Sequence, residues 1–147
     1  MTTSTYAERR SATNWPMYAA LGAGVALVLA AIGTFWDISG NDTKPGTAVE
    51  YLGTAAFILV ATALVFGLVV RGATPASAGT RALVLAIVGL VTIVAFWSGL
   101  PPVLAFGAIS CGLAARPTGS DISGTGKAAL GIAGVTLVLA VVAAIFG

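Results

Sequence analysis

Charge is excluded from four long stretches of this chain. Residues 17–36, 51–70, 82–115 and 128–147 contain no Asp, Glu, Lys, Arg or His. Three of these stretches are 20 residues long and the fourth is 34. A helix needs about 20 apolar residues to cross a hydrocarbon core of about 30 Å, so each 20-residue stretch has the length of one membrane span. The remaining sequence offers no aqueous domain: its longest polar pieces are the N-terminal tail and the 14-residue loop 37–50. Charged residues make up 8% of the chain, against about 25% in a soluble domain, too few to keep a globule of this size in solution.

The 34-residue stretch is too long for a single span. As one helix it would measure about 51 Å at ~1.5 Å per residue, and fitting it into the bilayer would need a tilt beyond the usual ~0–40°. The run Ser98-Gly99-Leu100-Pro101-Pro102 supplies a break. Gly99 is permissive, and consecutive prolines remove donors and oppose a helical residue before them. The expectation is a hairpin turn at Gly99, Pro101 and Pro102, joining helices over about 82–98 and 102–115. The second helix is short enough to dip into the membrane without crossing it fully. With spans over about 16–36, 50–70 and 128–147, this gives an all-α, polytopic membrane bundle. It has five membrane helices in one domain, 16–147, behind a mobile tail, 1–15. Residues 71–81 and 116–127 read as polar linkers.

Arg9-Arg10 ahead of an apolar run resembles a signal peptide. That run is about 20 residues long, beyond the ~7–15 of a signal core, and no A-x-A site precedes Asp37. A retained first span is therefore expected.

Basic residues near short loops mark the cytoplasmic side of a membrane protein. With five spans and the N-terminus inside, the inner segments carry Arg9, Arg10, Arg71, Arg81, Arg116 and Lys127, while the outer segments carry Lys44 alone. This asymmetry predicts a cytoplasmic N-terminus and an extracytoplasmic C-terminus; the high Ala, Gly and Val content points to a GC-rich, actinobacterial source, and so to a bacterial plasma membrane. Trp15, Trp36, Tyr51 and Trp97 fall at span ends, where amphipathic rings anchor helices in the interface. The net charge of +2 is dispersed and lacks an aromatic platform, so nucleic acid is not an expected partner.

Residues that usually carry chemistry are missing from the spans. No ionisable residue that could serve a proton relay or ion path lies within them. There is no histidine, and Cys111 is the one cysteine, so neither a metal site nor a cofactor is expected. Cys111 has two readings, a small packing residue or a site of reversible modification. Asp37, Asn41, Asp42 and Glu50 depart from the calcium-loop pattern. Ser123–Lys127 echoes a phosphate loop without its first glycine or its preceding strand, and reads as a linker and helix start.

Small residues recur four apart: Gly22, Ala26 and Ala30; Ala63 and Gly67; Gly107 and Cys111 beside Ala108 and Gly112; Ala129 and Ala133. Such spacing lets membrane helices approach closely, and these are the expected helix-packing residues. Thr34, Thr54, Thr62, Thr92 and Thr136 are candidates for bonds between helices, or back to carbonyls of their own helix.

The run Gly99–Arg116 (GLPPVLAFGAISCGLAAR) followed by Gly124–Ala140 (GTGKAALGIAGVTLVLA) resembles a hairpin-plus-helix pattern of small actinobacterial membrane proteins. Residues 82–147 are similar to the domain-of-unknown-function family 4190. The resemblance implies a membrane module without assigned chemistry, and it transfers no catalytic residue.

The sequence thus points to a non-enzymatic, multi-pass protein of structural or accessory type. Its expected partners are the lipid bilayer and either its own copies or a larger membrane complex. The alternative is a channel or permease-like protein for a small or lipophilic solute, with a path lined by scattered threonines, Ser110 and backbone freed near Pro101-Pro102.

Overall fold

A computed structural model describes residues 15–36, 46–116 and 121–146, and of Trp97 only the backbone. The tail with Arg9 and Arg10, and Asp37, Asn41, Asp42 and Lys44 in the first loop, lie outside the described residues. Within them the protein is an all-helical bundle. Helix α1 is Trp15–Phe35. Helix α2 is Ala48–Leu64, continued by a π-helical turn, Val65–Val70. Helix α3 is Pro75–Val91, continued by a 3₁₀ segment, Thr92–Ser98. Helix α4 is Leu100–Ala114 and α5 is Gly124–Phe146. Four helices, Trp15–Phe35, Ala48–Val70, Pro75–Phe96 and Gly124–Phe146, are long and apolar enough to cross a membrane, and α4 is the shorter fifth.

Local signals explain where the helices begin, and two of them extend into the expected linkers. Helix α3 starts at Pro75 rather than near residue 82. Thr74 precedes it, Pro75 occupies the first turn, and the Thr74 N–H donates to Ser77 Oγ at 3.0 Å. Proline at this place costs no hydrogen bond, because the first N–H groups of a helix have no partner within it. Helix α5 starts at Gly124 rather than 128, with Ser123 Oγ accepting from the Gly126 N–H at 3.1 Å. Charge was a poor guide here: Arg81 and Lys127 lie in the second and first turns of their helices, not before them. At α2, Thr47 and Glu50 form a reciprocal capping box, with the Thr47 N–H donating to Glu50 Oε2 at 2.8 Å. Glu50 is thus an exposed cap residue. Gly46 ties the connection back to α1 by donating to the Thr34 carbonyl at 2.8 Å.

Helix α4 is the hub of the bundle. Pro101, Pro102, Val103, Leu104, Ala105, Gly107, Ala108, Ser110, Cys111 and Gly112 are all buried, around most of its circumference. It packs closely with α3, α5 and α1, and α3 also packs against α5. Much of the core is made of small side chains, with Ala26, Ala78, Ala82, Ala86, Ala105, Ala108, Ala129 and Ala133 at 0% exposure. Large apolar side chains lie outside, among them Val28, Leu52, Leu59, Val60, Leu68, Val91, Val138 and Phe146. In water an apolar surface this extensive would drive aggregation. In a bilayer it is the surface lipid requires, while small residues let the backbones approach.

The α3–α4 turn is not level with the ends of the long helices remote from the α3 start. A side chain added at Gly99 would meet Ala26 Cβ and Ile58, which lie near the midpoints of Trp15–Phe35 and Ala48–Val70. The turn therefore sits at mid-depth, and α4 runs from there to the end of the bundle where α3 starts. This places Pro75 and Arg116 at the same end.

Candidate functional site

The break between α3 and α4 is irregular backbone held in the middle of an apolar bundle, a location where unpaired N–H and C=O groups cost several kcal/mol each, about. The sequence meets this demand in three ways. Ala95 leaves helical geometry (φ −110°, ψ 43°), and the Ser98 hydroxyl donates to its carbonyl at 2.7 Å. The Leu100 N–H donates to that same Ser98 oxygen at 3.3 Å, and the Gly99 N–H donates to the Phe96 carbonyl at 3.1 Å. Pro101 and Pro102, in the first turn of α4, have no N–H to satisfy. The proline pair thus removes two of the orphan donors that every helix start presents. Gly99 takes a left-handed conformation, φ 71°, which only glycine adopts without a steric penalty. The expected turn residues Gly99, Pro101 and Pro102 are together at this break, and all three are buried.

The threonines do not bridge helices. Thr34 donates to Ala30 O at 2.7 Å, Thr54 to Glu50 O at 3.1 Å, Thr62 to Ile58 O at 2.7 Å, Thr92 to Gly89 O at 2.9 Å and Thr136 to Ile132 O at 2.9 Å. Each hydroxyl is bound to a carbonyl of its own helix, the alternative open to Thr at membrane depth.

Most of the small-residue positions lie at close seams. Gly22, Ala26 and Ala30 are buried on α1; a Cβ on Gly22 would come 3.1 Å from Phe106 Cβ. Gly107 abuts Val65 and Leu85, and Gly112 abuts the Gly126 carbonyl and Leu130. Ala108, Cys111, Ala129 and Ala133 are buried with them. Ala63 and Gly67 are different. Both are exposed, and nothing lies within 4 Å of a Cβ placed on Gly67. The inward face of α2 instead carries Ile58, Ala61, Thr62, Phe66 and Val70, the residues with which it reaches α1, the turn and α4.

Three contributors escaped the sequence reading. Gly126 is a tight point of the α4–α5 seam: a Cβ there would lie 2.9 Å from the Gly112 carbonyl oxygen. Its sequence lies in the polar run 116–127, which carries no helix-packing signal. Gly89 packs against Leu104, on a helix with no small-xxx-small pair singled out. Arg81 borders the polar linker in sequence, yet it is half-buried, and its Nη1 donates to the Val69 carbonyl at 2.8 Å.

Among the expected interface anchors, Trp15 and Tyr51 are half-buried against the core and Trp36 is 71% exposed. The Tyr51 hydroxyl donates to the Leu27 carbonyl at 3.5 Å, and its ring meets Phe35 at 5.4 Å between centroids. Trp97 lies in the 3₁₀ segment, and its side chain is outside the described residues. Cys111 is a free thiol at 1% exposure. Among the described residues no group of three His, Cys, Asp or Glu comes together.

No protein-family model matches the chain, and no curated protein or solved structure matches it either. The chain's membrane character therefore rests on its own helices, four of which have the length and apolarity of membrane spans.

Proposed function

We propose that this chain is a small multi-pass membrane protein of structural or accessory type, one that packs against its own copies or a larger membrane complex. The observation that carries this reading is where the unfilled small-residue faces lie. Gly24 and Gly33 on α1, Gly53 and Gly67 on α2, and Gly131 and Gly134 on α5 all have open space where a side chain would be. In lipid, small outward faces are how one helix accepts another. In the proposed placement, Arg71, Arg81, Arg116 and Lys127 face the cytoplasm of a bacterial cell, and α5 runs away from them to an extracytoplasmic C-terminus. A channel or permease would need polar groups free to line a path. The five threonine hydroxyls and the Gly99 and Leu100 N–H groups at the break are bound internally, which favours the accessory reading.

Purification of the chain from its native membrane in mild detergent, followed by mass spectrometry of what accompanies it, tests the proposal. A stoichiometric partner, or a defined homo-oligomer dispersed by Gly67→Leu or Gly131→Leu, is the expected result. A monodisperse single copy that makes proteoliposomes leak would overturn it in favour of the pore.

A further inference from the structure

At the end of the bundle that holds the α3 start, Arg81 leaves α3 on a different face from the one that meets the start of α5. Gly79 on α3 faces Ser123 and Thr125 at the start of α5 and Ala115 at the end of α4, so Arg116 and Lys127 belong to that side. Arg81 is two residues further on, about 200° around the helix. Its guanidinium instead lies against the end of α2, where Nη1 bonds the Val69 carbonyl at 2.8 Å and sits 3.1 Å from the place a Gly72 side chain would occupy. Arg71 is the neighbouring residue, exposed where the π-helical turn ends, with its N–H donating to the Phe66 carbonyl at 3.0 Å.

We infer that Arg71 and Arg81 form a site for the phosphodiester of an anionic glycerophospholipid, at the end of α2. The inference rests on the chain being embedded in a bilayer, and not on its accessory role. Both cations belong to the end of α2, one by sequence and one by its bond to Val69, and among the described residues neither is ion-paired. The Val69 bond fixes the Arg81 fork while engaging one of its five donors, and a guanidinium fork suits two phosphate oxygens. Arg71 follows directly on the apolar span Ala48–Val70, the depth at which headgroups begin. Leu68 and Leu64, about one and two turns back from Arg71 and 69% and 54% exposed, offer acyl chains an apolar track leading from the phosphate. A free phosphate would have no use for that track, and a choline headgroup would bring its own cation against the arginines.

The test uses the purified full chain in mild detergent, with phosphatidylglycerol, phosphatidylcholine and inorganic phosphate as probes and bound lipid counted by native mass spectrometry. Phosphatidylglycerol is expected to bind about tenfold or more tightly than phosphatidylcholine, and Arg71→Gln or Arg81→Gln to weaken it about fivefold or more each. Lys127→Gln, on the far side of α3, is expected to leave binding within about twofold. Equal retention of the two lipids would overturn the site. So would an equal loss in Lys127→Gln, which would mean a diffuse field, or displacement of the lipid by millimolar inorganic phosphate. Arg81→Gln also removes the bond to Val69, so the exposed Arg71→Gln carries the test if that variant fails to fold. Alkaline extraction of membranes separates the two readings: release of the chain overturns both, whereas an embedded chain without lipid preference overturns the site alone.

Discussion

The Ile58 side chain lies directly over the Cα of Gly99, so that a Cβ at residue 99 would come 2.5 Å from Ile58 Cδ1 and 2.6 Å from its Cγ1. Ile58 is 1% exposed and sits near the middle of α2, and Gly99 is the residue on which α3 turns into α4. One contact therefore joins the depth of the turn to the packing of the outer helices. It also makes glycine necessary twice over, for its left-handed φ of 71° and for the absence of a side chain.

Gly99→Ala should destabilise the bundle strongly. The left-handed conformation alone costs a non-glycine residue about 1–2 kcal/mol, and the contact with Ile58 adds to it. Thermal unfolding in detergent should show the loss. Ile58→Ala in the same chain should recover part of the contact component and none of the conformational one. Fully additive effects in the double variant would show that the contact is not felt.

Glycines at seams within one copy of the chain and glycines on its open outer faces should respond oppositely to alanine. Gly126→Ala places a methyl 2.9 Å from the Gly112 carbonyl oxygen and 2.7 Å from Ile122 Cγ2, and should cost about 1–3 kcal/mol as an overpacked contact. Gly131 and Gly134 have open space at the same atom, and there alanine should be neutral or stabilise by up to about 1 kcal/mol through helix propensity. Comparing the three variants by detergent unfolding checks this, and a similar change at all three would contradict the seam.

Pro102→Ala should be costly although alanine is the better helix former. It introduces an N–H at the start of α4, where residue 102 is buried below 2% exposure, and a buried unpaired donor costs about 1–3 kcal/mol. Pro75→Ala is the control, since Pro75 is exposed at the start of α3; it should change stability by less than about 0.5 kcal/mol. If Pro102→Ala proves as mild as Pro75→Ala, the donor-removal argument for the proline pair is lost.

Cys111 should be inert in the folded chain and reactive once it opens. It is the one cysteine of the sequence, and it sits at 1% exposure where α4 meets its neighbours. A maleimide reagent read by mass should label the native protein slowly and the denatured protein fully. Gly99→Ala should speed the native reaction by loosening the helix that carries the thiol. Rapid labelling of the unmodified native chain would refute the central placement of α4.

The distribution of charge and apolar length along the chain determined the class of fold. Four charge-free stretches, one too long for a single span and broken by Gly99-Leu100-Pro101-Pro102, are enough to specify four long helices and a short fifth, because the bilayer sets helix length and lipid forbids unpaired backbone. The helix-packing faces of α1, α4 and α5 were legible for a similar reason: residues four apart share a face. Their partners were not. Whether Ala63-Gly67 or Ile58-Thr62-Phe66 turns inward on α2 depends on rotation about the helix axis. Both faces of that helix are apolar, so no sequence pattern distinguishes them, and only contact with α1, the turn and α4 decided. Only tertiary structure, likewise, placed the Gly99 turn beside the middle of α1 and α2, brought Gly126 against Gly112, and carried Arg81 back to the Val69 carbonyl. Each of these is a meeting of segments distant in the chain. In an apolar bundle with little contrast between its faces, such meetings are settled by how closely small residues let backbones approach.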